Sequence, residues 1–190
     1  TRTLQNAIRQ GKVSHAYLFC GTRGTGKTTT ARLLAKAMNC DKGPTPTPCN
    51  VCPACISITE GRAMDIIELD AASHRGIGDV KDINENVKFA PMELRYKVFI
   101  IDEAHQLSND AKDAFLKTLE EPPQHTIFIL ATTEPQSIPI TIRSRCQQFD
   151  FRRGSLRDIR DRLKYVADGE GVEVEDAALD LMAENAEGSW

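Results

Sequence analysis

The sequence contains no apolar run approaching the about 20 residues that span a bilayer, so no membrane-spanning helix is expected. Residues Thr1 to Gln5 offer neither an apolar signal core nor a cleavage site, and the expectation is a cytoplasmic protein with no membrane attachment. An excess of either charge is lacking too. With 24 lysines and arginines against 27 acids the net charge is −3, so any contact with nucleic acid must come from a local basic surface. Internal repeats and low-complexity tails are also absent, which leaves no sign of a solenoid or a disordered arm. What remains is an ordinary globular composition over 190 residues, enough for a real core and for one domain or one with a small appendage.

The chain is organised around Gly21, Thr22, Arg23, Gly24, Thr25, Gly26, Lys27 and Thr28, a complete Gly-x-x-x-x-Gly-Lys-[Ser/Thr] pattern. Ala16 to Cys20 ahead of it is an apolar run typical of a buried strand. Behind it, Thr28 to Met38 carries Ala31, Leu34, Ala35 and Met38 at helical spacing. Strand, glycine loop, helix is the order a phosphate cradle needs. The glycines let backbone N–H groups turn inward around phosphate oxygens, and the first helical turn, which includes Thr29, adds free N–H groups and a positive dipole end. Lys27 is placed to reach β and γ phosphates, and Thr28 to offer its hydroxyl to Mg²⁺.

A second chemical signal closes another apolar run, where Tyr96 to Ile101 leads into Asp102 and Glu103. An acid at the end of such a strand holds the water shell of Mg²⁺ in phosphate-loop proteins, which assigns Asp102; Glu103 is then placed to orient or deprotonate the attacking water. Thr126 to Ala131 reads as a further buried strand ending in Thr132 and Thr133. That pair is expected at the same sheet edge as Lys27 and Asp102, where ligands sit in open α/β sheets, although threonines also end strands as plain caps. Spacing leaves open whether Arg143 and Arg145 clamp a phosphate or face solvent.

Four of the six cysteines, Cys40, Cys49, Cys52 and Cys55, fall within 16 residues. Two-residue gaps let successive thiolates converge on one ion, and four sulfurs with no hard ligand suit a closed, structural Zn²⁺ site. Disulfides among them are geometrically awkward and out of place in a reducing compartment. Cys20 and Cys146 read as small buried hydrophobes.

The remaining pattern alternates. A helix is expected from Thr3 to Gln10, a strand over Asp65 to Leu69, and a helix from Ile77 to Lys88 with Ile77, Val80, Ile83 and Val87 inward. Another helix runs from Asn109 to Glu120, closed by Pro122 and Pro123, and a strand from Gln147 to Phe151. Only helices follow, Leu156 to Val166 and Asp176 to Ala186, with Arg157, Arg160, Arg162 and Lys164 as a solvated face. The division expected is an α/β core over 1–153, carrying the cysteine insertion at 40–55, and a separate small helical piece over 154–190.

Taken together, the glycine loop, the cysteine insertion, Glu68 to Ser73, Ile101 to His105, Leu116 to Pro123, Ala131 to Gln136 and Ser144-Arg-Cys146 closely resemble the gamma/tau family of bacterial DNA polymerase III subunits. The resemblance covers nearly the whole chain. It implies an AAA+ core with a five-stranded parallel sheet and a three-helix lid of which part is present. It also implies an ATP-hydrolysing motor of the clamp loader, with Thr133 as the sensor of the γ phosphate and Arg145 as a finger completing a neighbouring subunit's site. The partners implied are further gamma/tau copies, the delta and delta-prime subunits, the sliding clamp and primed DNA. Both ends look cut relative to the family, so base recognition and a second sensor arginine are expected to be missing and the isolated fragment to be weakly active or inactive. A non-hydrolytic stator and a branch-migration helicase are the rival readings. The complete set of Lys27, Thr28, Asp102 and Glu103 argues against the stator. Arg75 is weighed as a DNA-backbone contact against a plain surface arginine.

Overall fold

The computed structural model describes residues 2–74 and 76–190. Arg75 lies outside the described residues, and with it the choice between a plain surface arginine and a DNA-backbone contact.

Five parallel strands form one sheet in the order β2-β3-β4-β1-β5. The central strands β1 (Ala16–Cys20), β3 (Lys97–Asp102) and β4 (Thr126–Thr132) are apolar almost throughout, because helices cover both sheet faces and every side chain must be tolerated in the interior. The edge strands β2 (Ile66–Asp70) and β5 (Gln147–Asp150) alternate in burial instead. Register brings the carboxyl ends level: Cys20 stands opposite Thr132 and Asp150, and Asp70 opposite Asp102.

One face carries Tyr17, Phe19, Ile100 and Ile129, packed under α1 (Arg2–Arg9), α2 (Lys27–Asn39) and α3 (Pro53–Thr59). The other carries Leu18, Phe99, Phe128 and Leu130, packed under α4 (Ile77–Asn86) and α5 (Asn109–Glu120), with Ile142 of the short α6 (Ile140–Arg143). Phe128 stacks on Phe99 at 5.4 Å and meets the edge of Phe115 at 5.1 Å, which ties β3, β4 and α5 together. The last helices, α7 (Leu156–Glu170) and α8 (Asp176–Asn185), bury little beyond Ile159, Leu179 and Ala183. They return the chain end to the glycine loop, where the Trp190 N–H donates to the Gly24 carbonyl at 2.8 Å.

The structure corrects several local expectations. The knuckle is not wholly irregular: Pro53 starts α3 at a position where its missing N–H costs nothing, and Cys52 caps it. Seven residues with two isoleucines and a threonine leave too short a period to read. Helix α7 runs through Gly169 and stops at Gly171, whose φ of 67° supplies the left-handed stop. Ile77 is 41% exposed and does not join the inward stripe of α4. Arg160 is no solvated face: it crosses to α8 and pairs with Asp176 at 2.7 Å and Asp180 at 2.6 Å. Cys20 is buried as expected, whereas Cys146 is half-buried at the margin of the core.

Candidate functional site

The glycine loop joins the end of β1 to α2. Gly26 precedes α2 at φ 83°, a conformation that side chains rarely take, and a Cβ on Gly21 would stand 2.5 Å from the Phe151 carbonyl oxygen. Lys27 is buried, and its Nζ donates to the carbonyls of Gly21 at 2.8 Å and Thr22 at 2.9 Å. Burial pulls its pKa below the ordinary lysine value, while the nearby carboxylates of Glu103 and Asp102 oppose that shift.

Asp102 ends β3 beside the loop. Its Oδ2 accepts the Thr28 hydroxyl at 2.7 Å and its Oδ1 accepts the Glu103 N–H at 2.9 Å. Glu103 has φ 47°, a left-handed conformation that costs a non-glycine residue about 1–3 kcal/mol and clusters at functional sites. That turn aims its carboxylate back over the sheet edge. Its Oε1 accepts from Arg23 Nε at 3.3 Å, and its Oε2 accepts the Thr133 hydroxyl at 3.1 Å with His105 Nδ1 at 3.5 Å. Arg23, Gly24, Gly26, Lys27, Thr28, Thr29, Asp102 and Glu103 line one open cavity of 200 Å³. The residues expected to act on a triphosphate are thus brought together, with Thr25 buried at the base of the loop, where its hydroxyl donates to the Thr22 carbonyl at 2.8 Å.

Arg145 stands apart from this group. Its guanidinium donates to Glu120 Oε1 at 2.6 Å and to the Thr141 carbonyl at 2.7 Å. One participant escaped the sequence reading: His105, which lies between Glu103 and Thr132, its Nδ1 3.5 Å from Glu103 Oε2 and 3.0 Å from the Thr132 hydroxyl, which also accepts the Glu134 N–H at 3.0 Å. Histidine two residues past the acid pair was the available signal.

A second cavity of 300 Å³ adjoins the loop, lined by Leu4, Phe19, Phe149, Phe151 and Trp190 with Thr25 and Thr30 on the loop side. Its flat apolar walls suit a planar aromatic group. A larger cavity of 490 Å³ against Arg32, Ile58 and Glu68 lies at the outer strand β2 and shares no lining residue with either.

At the far end of α2, Cys40, Cys49, Cys52 and Cys55 place their sulfurs within 4.8 Å of one another. That spread matches four thiolates on one ion at about 2.3 Å each. Asn50 at φ 60° turns the backbone so that the N–H groups of Val51 and then Cys52 favour the Cys49 thiolate, lowering its pKa to about 6. Burial pushes Cys55 up to about 12. The four thiols can hold one metal ion.

A doubly covered parallel sheet whose first strand ends in this loop, with Asp102 and Glu103 at the carboxyl end of β3 two strands away, defines a phosphate-loop fold of the AAA+ class. The chain belongs to the family described as DNA polymerase III, delta subunit, whose model matches residues 1–155. It is 55% identical over 188 residues to the DNA polymerase III subunit tau of Bacillus subtilis (strain 168), covering 99% of this chain and 33% of that protein. It is 50% identical over 186 residues to the tau subunit of Escherichia coli (strain K12), covering 98% of this chain and 29% of that protein. The chain thus spans about a third of the length of these relatives. Among solved structures, the Holliday junction branch migration motor RuvB of Thermotoga maritima shares the fold, with a TM-score of 0.66 at 23% identity over 98% of this chain and 54% of that one. The resemblance to gamma/tau subunits read from the motifs is borne out.

Proposed function

We propose that this chain is the ATP-binding and hydrolysing part of a clamp-loader motor subunit, which works with further gamma/tau copies, delta and delta-prime to load the sliding clamp onto primed DNA in the cytoplasm. Residues 1–153 form the ATPase core and 154–190 the start of its lid. The loop from Gly21 to Thr29 grips the triphosphate through backbone N–H groups, and Lys27 exchanges its bonds to the Gly21 and Thr22 carbonyls for the β and γ phosphates. Thr28 and Asp102 would hold Mg²⁺, which when bound neutralises charge on the phosphate oxygens. Glu103 accepts a proton from, or orients, the attacking water, while Thr133 reads the γ phosphate from the next strand. Arg145 of one copy completes the site of its neighbour. Cys40, Cys49, Cys52 and Cys55 would hold Zn²⁺ as a closed, structural ion.

The observation that carries this reading is the junction of Thr28 with Asp102 at 2.7 Å beside a left-handed Glu103. Glycine or asparagine takes such a conformation more cheaply, so Glu103 is held there at a cost. The test is ATP turnover by the full-length protein in its complex, with and without clamp and primed DNA. Glu103→Gln should retain nucleotide affinity and lose about 10²–10⁴ in rate. Turnover at the parent rate would overturn the assignment.

A further inference from the structure

We infer that Glu120 is a positioning residue for Arg145, fixing the direction in which that guanidinium leaves its own subunit. The inference rests on the proposal that Arg145 serves a neighbouring copy's nucleotide. Arg145 follows α6 on the connection into β5, a segment that by itself leaves a long side chain free to sample many rotamers. Two acceptors from different elements narrow that freedom. Glu120 Oε1 takes a bond from Nη2 at 2.6 Å, and the Thr141 carbonyl takes one from Nη1 at 2.7 Å. Bonds to both terminal nitrogens set the plane of the guanidinium and leave its other N–H groups available for a third party.

Glu120 is itself rigidly placed. It is the last residue of α5, one position beyond buried Leu119 and five beyond buried Phe115. The Thr118 hydroxyl also ties that turn to Asn84 of α4 at 2.6 Å. Pro122 and Pro123 then prevent the helix from continuing. The pair is too exposed, with side chains 34% and 50% accessible, to contribute much stability or to withhold the arginine from a triphosphate. Its effect falls on geometry. A group that must meet a developing charge works when its orientation is settled beforehand.

The experiment measures ATP turnover by the full-length protein in its assembled complex with clamp and primed DNA, for the parent, Arg145→Ala, Glu120→Ala and Glu120→Asp. Removing the carboxylate in Glu120→Ala should lower kcat about tenfold with KM for ATP unchanged, and Glu120→Asp should recover most of that loss. If Glu120→Ala proves unable to fold, Glu120→Met, of similar length and with no strong acceptor, carries the same prediction. Parent-level or faster turnover in the Glu120 variants beside an inactive Arg145→Ala overturns the positioning role alone, as does a change confined to KM. Parent-level turnover in Arg145→Ala overturns the arginine's role and this inference with it.

Discussion

Asp65 shows how much one side chain can organise without touching the site. It is 1% exposed, and its carboxylate accepts the N–H groups of Met92, Glu93 and Leu94 at 2.8 to 3.0 Å, which closes the loop leading into β3. Burial alone would raise its pKa, but the bonds from Glu93, Met92 and Leu94, with Lys97 nearby, outweigh that and hold it below the ordinary value. Its stabilising contribution is therefore complete above the unfolded carboxylate pKa of about 3.9 and is lost as pH falls through the lower folded value. Asp65→Asn should cost about 2–3 kcal/mol at neutral pH, seen as an earlier urea midpoint, and should remove this group's share of the acid-side decline. The sequence reading placed Asp65 inside a strand; its capping role needed the loop to fold back from residue 92. Two thiols make the complementary case. Cys20 is pushed up to about 11 and Cys146 to about 12, in each case mainly by burial. In the folded protein both should resist iodoacetamide at pH 7.5 over times that fully alkylate an unfolded sample, as mass spectrometry of their peptides would report.

At the scale of elements, packing across the sheet decides stability and caps decide where helices begin. Phe128 is fully buried between Phe99 and Phe115. Phe128→Ala should cost about 3–5 kcal/mol, read from denaturant unfolding. Ser155 starts α7 with its hydroxyl accepting the Asp158 N–H at 3.2 Å, while Asp158 Oδ2 takes the Ser155 N–H at 3.3 Å. Ser155→Ala should cost about 1 kcal/mol and leave the sheet intact, because α7 buries little besides Ile159. The strands and long helices were legible because their periods are long and their ends carry glycine, proline or serine. The short α3 and α6 were not, since a turn or two of helix buries too few residues to leave a pattern.

For the molecule as a whole, the two ends of α2 carry its two chemistries. Its first turn holds Lys27 and Thr28; its last residue, Asn39, bridges both the N–H and the carbonyl of Tyr96, and Cys40 follows at once. If the four thiols hold Zn²⁺ as proposed, a chelator should lower the thermal midpoint, and elemental analysis of the untreated protein should find about one zinc per chain. Trp190, the sole tryptophan, lines the aromatic cavity and donates to the Gly24 carbonyl. Triphosphate binding at the loop should therefore change its fluorescence, and Lys27→Ala should suppress that change; an unaltered emission spectrum on saturation with ATP would count against the loop as the binding site.

The residues themselves determined the fold class, the glycine loop and the thiol set, because each is written in contiguous spacing: a glycine loop between strand and helix, acids ending an apolar run, cysteines two apart. Only the tertiary structure decided which distant groups meet. Glu103 joins Arg23, Thr133 and His105, and Arg145 turns to Glu120, through the register of parallel strands and the lengths of the helices between them. Contacts across 80 residues, as between Arg23 and Glu103, leave no local periodicity. They follow from where the packed sheet brings its carboxyl ends.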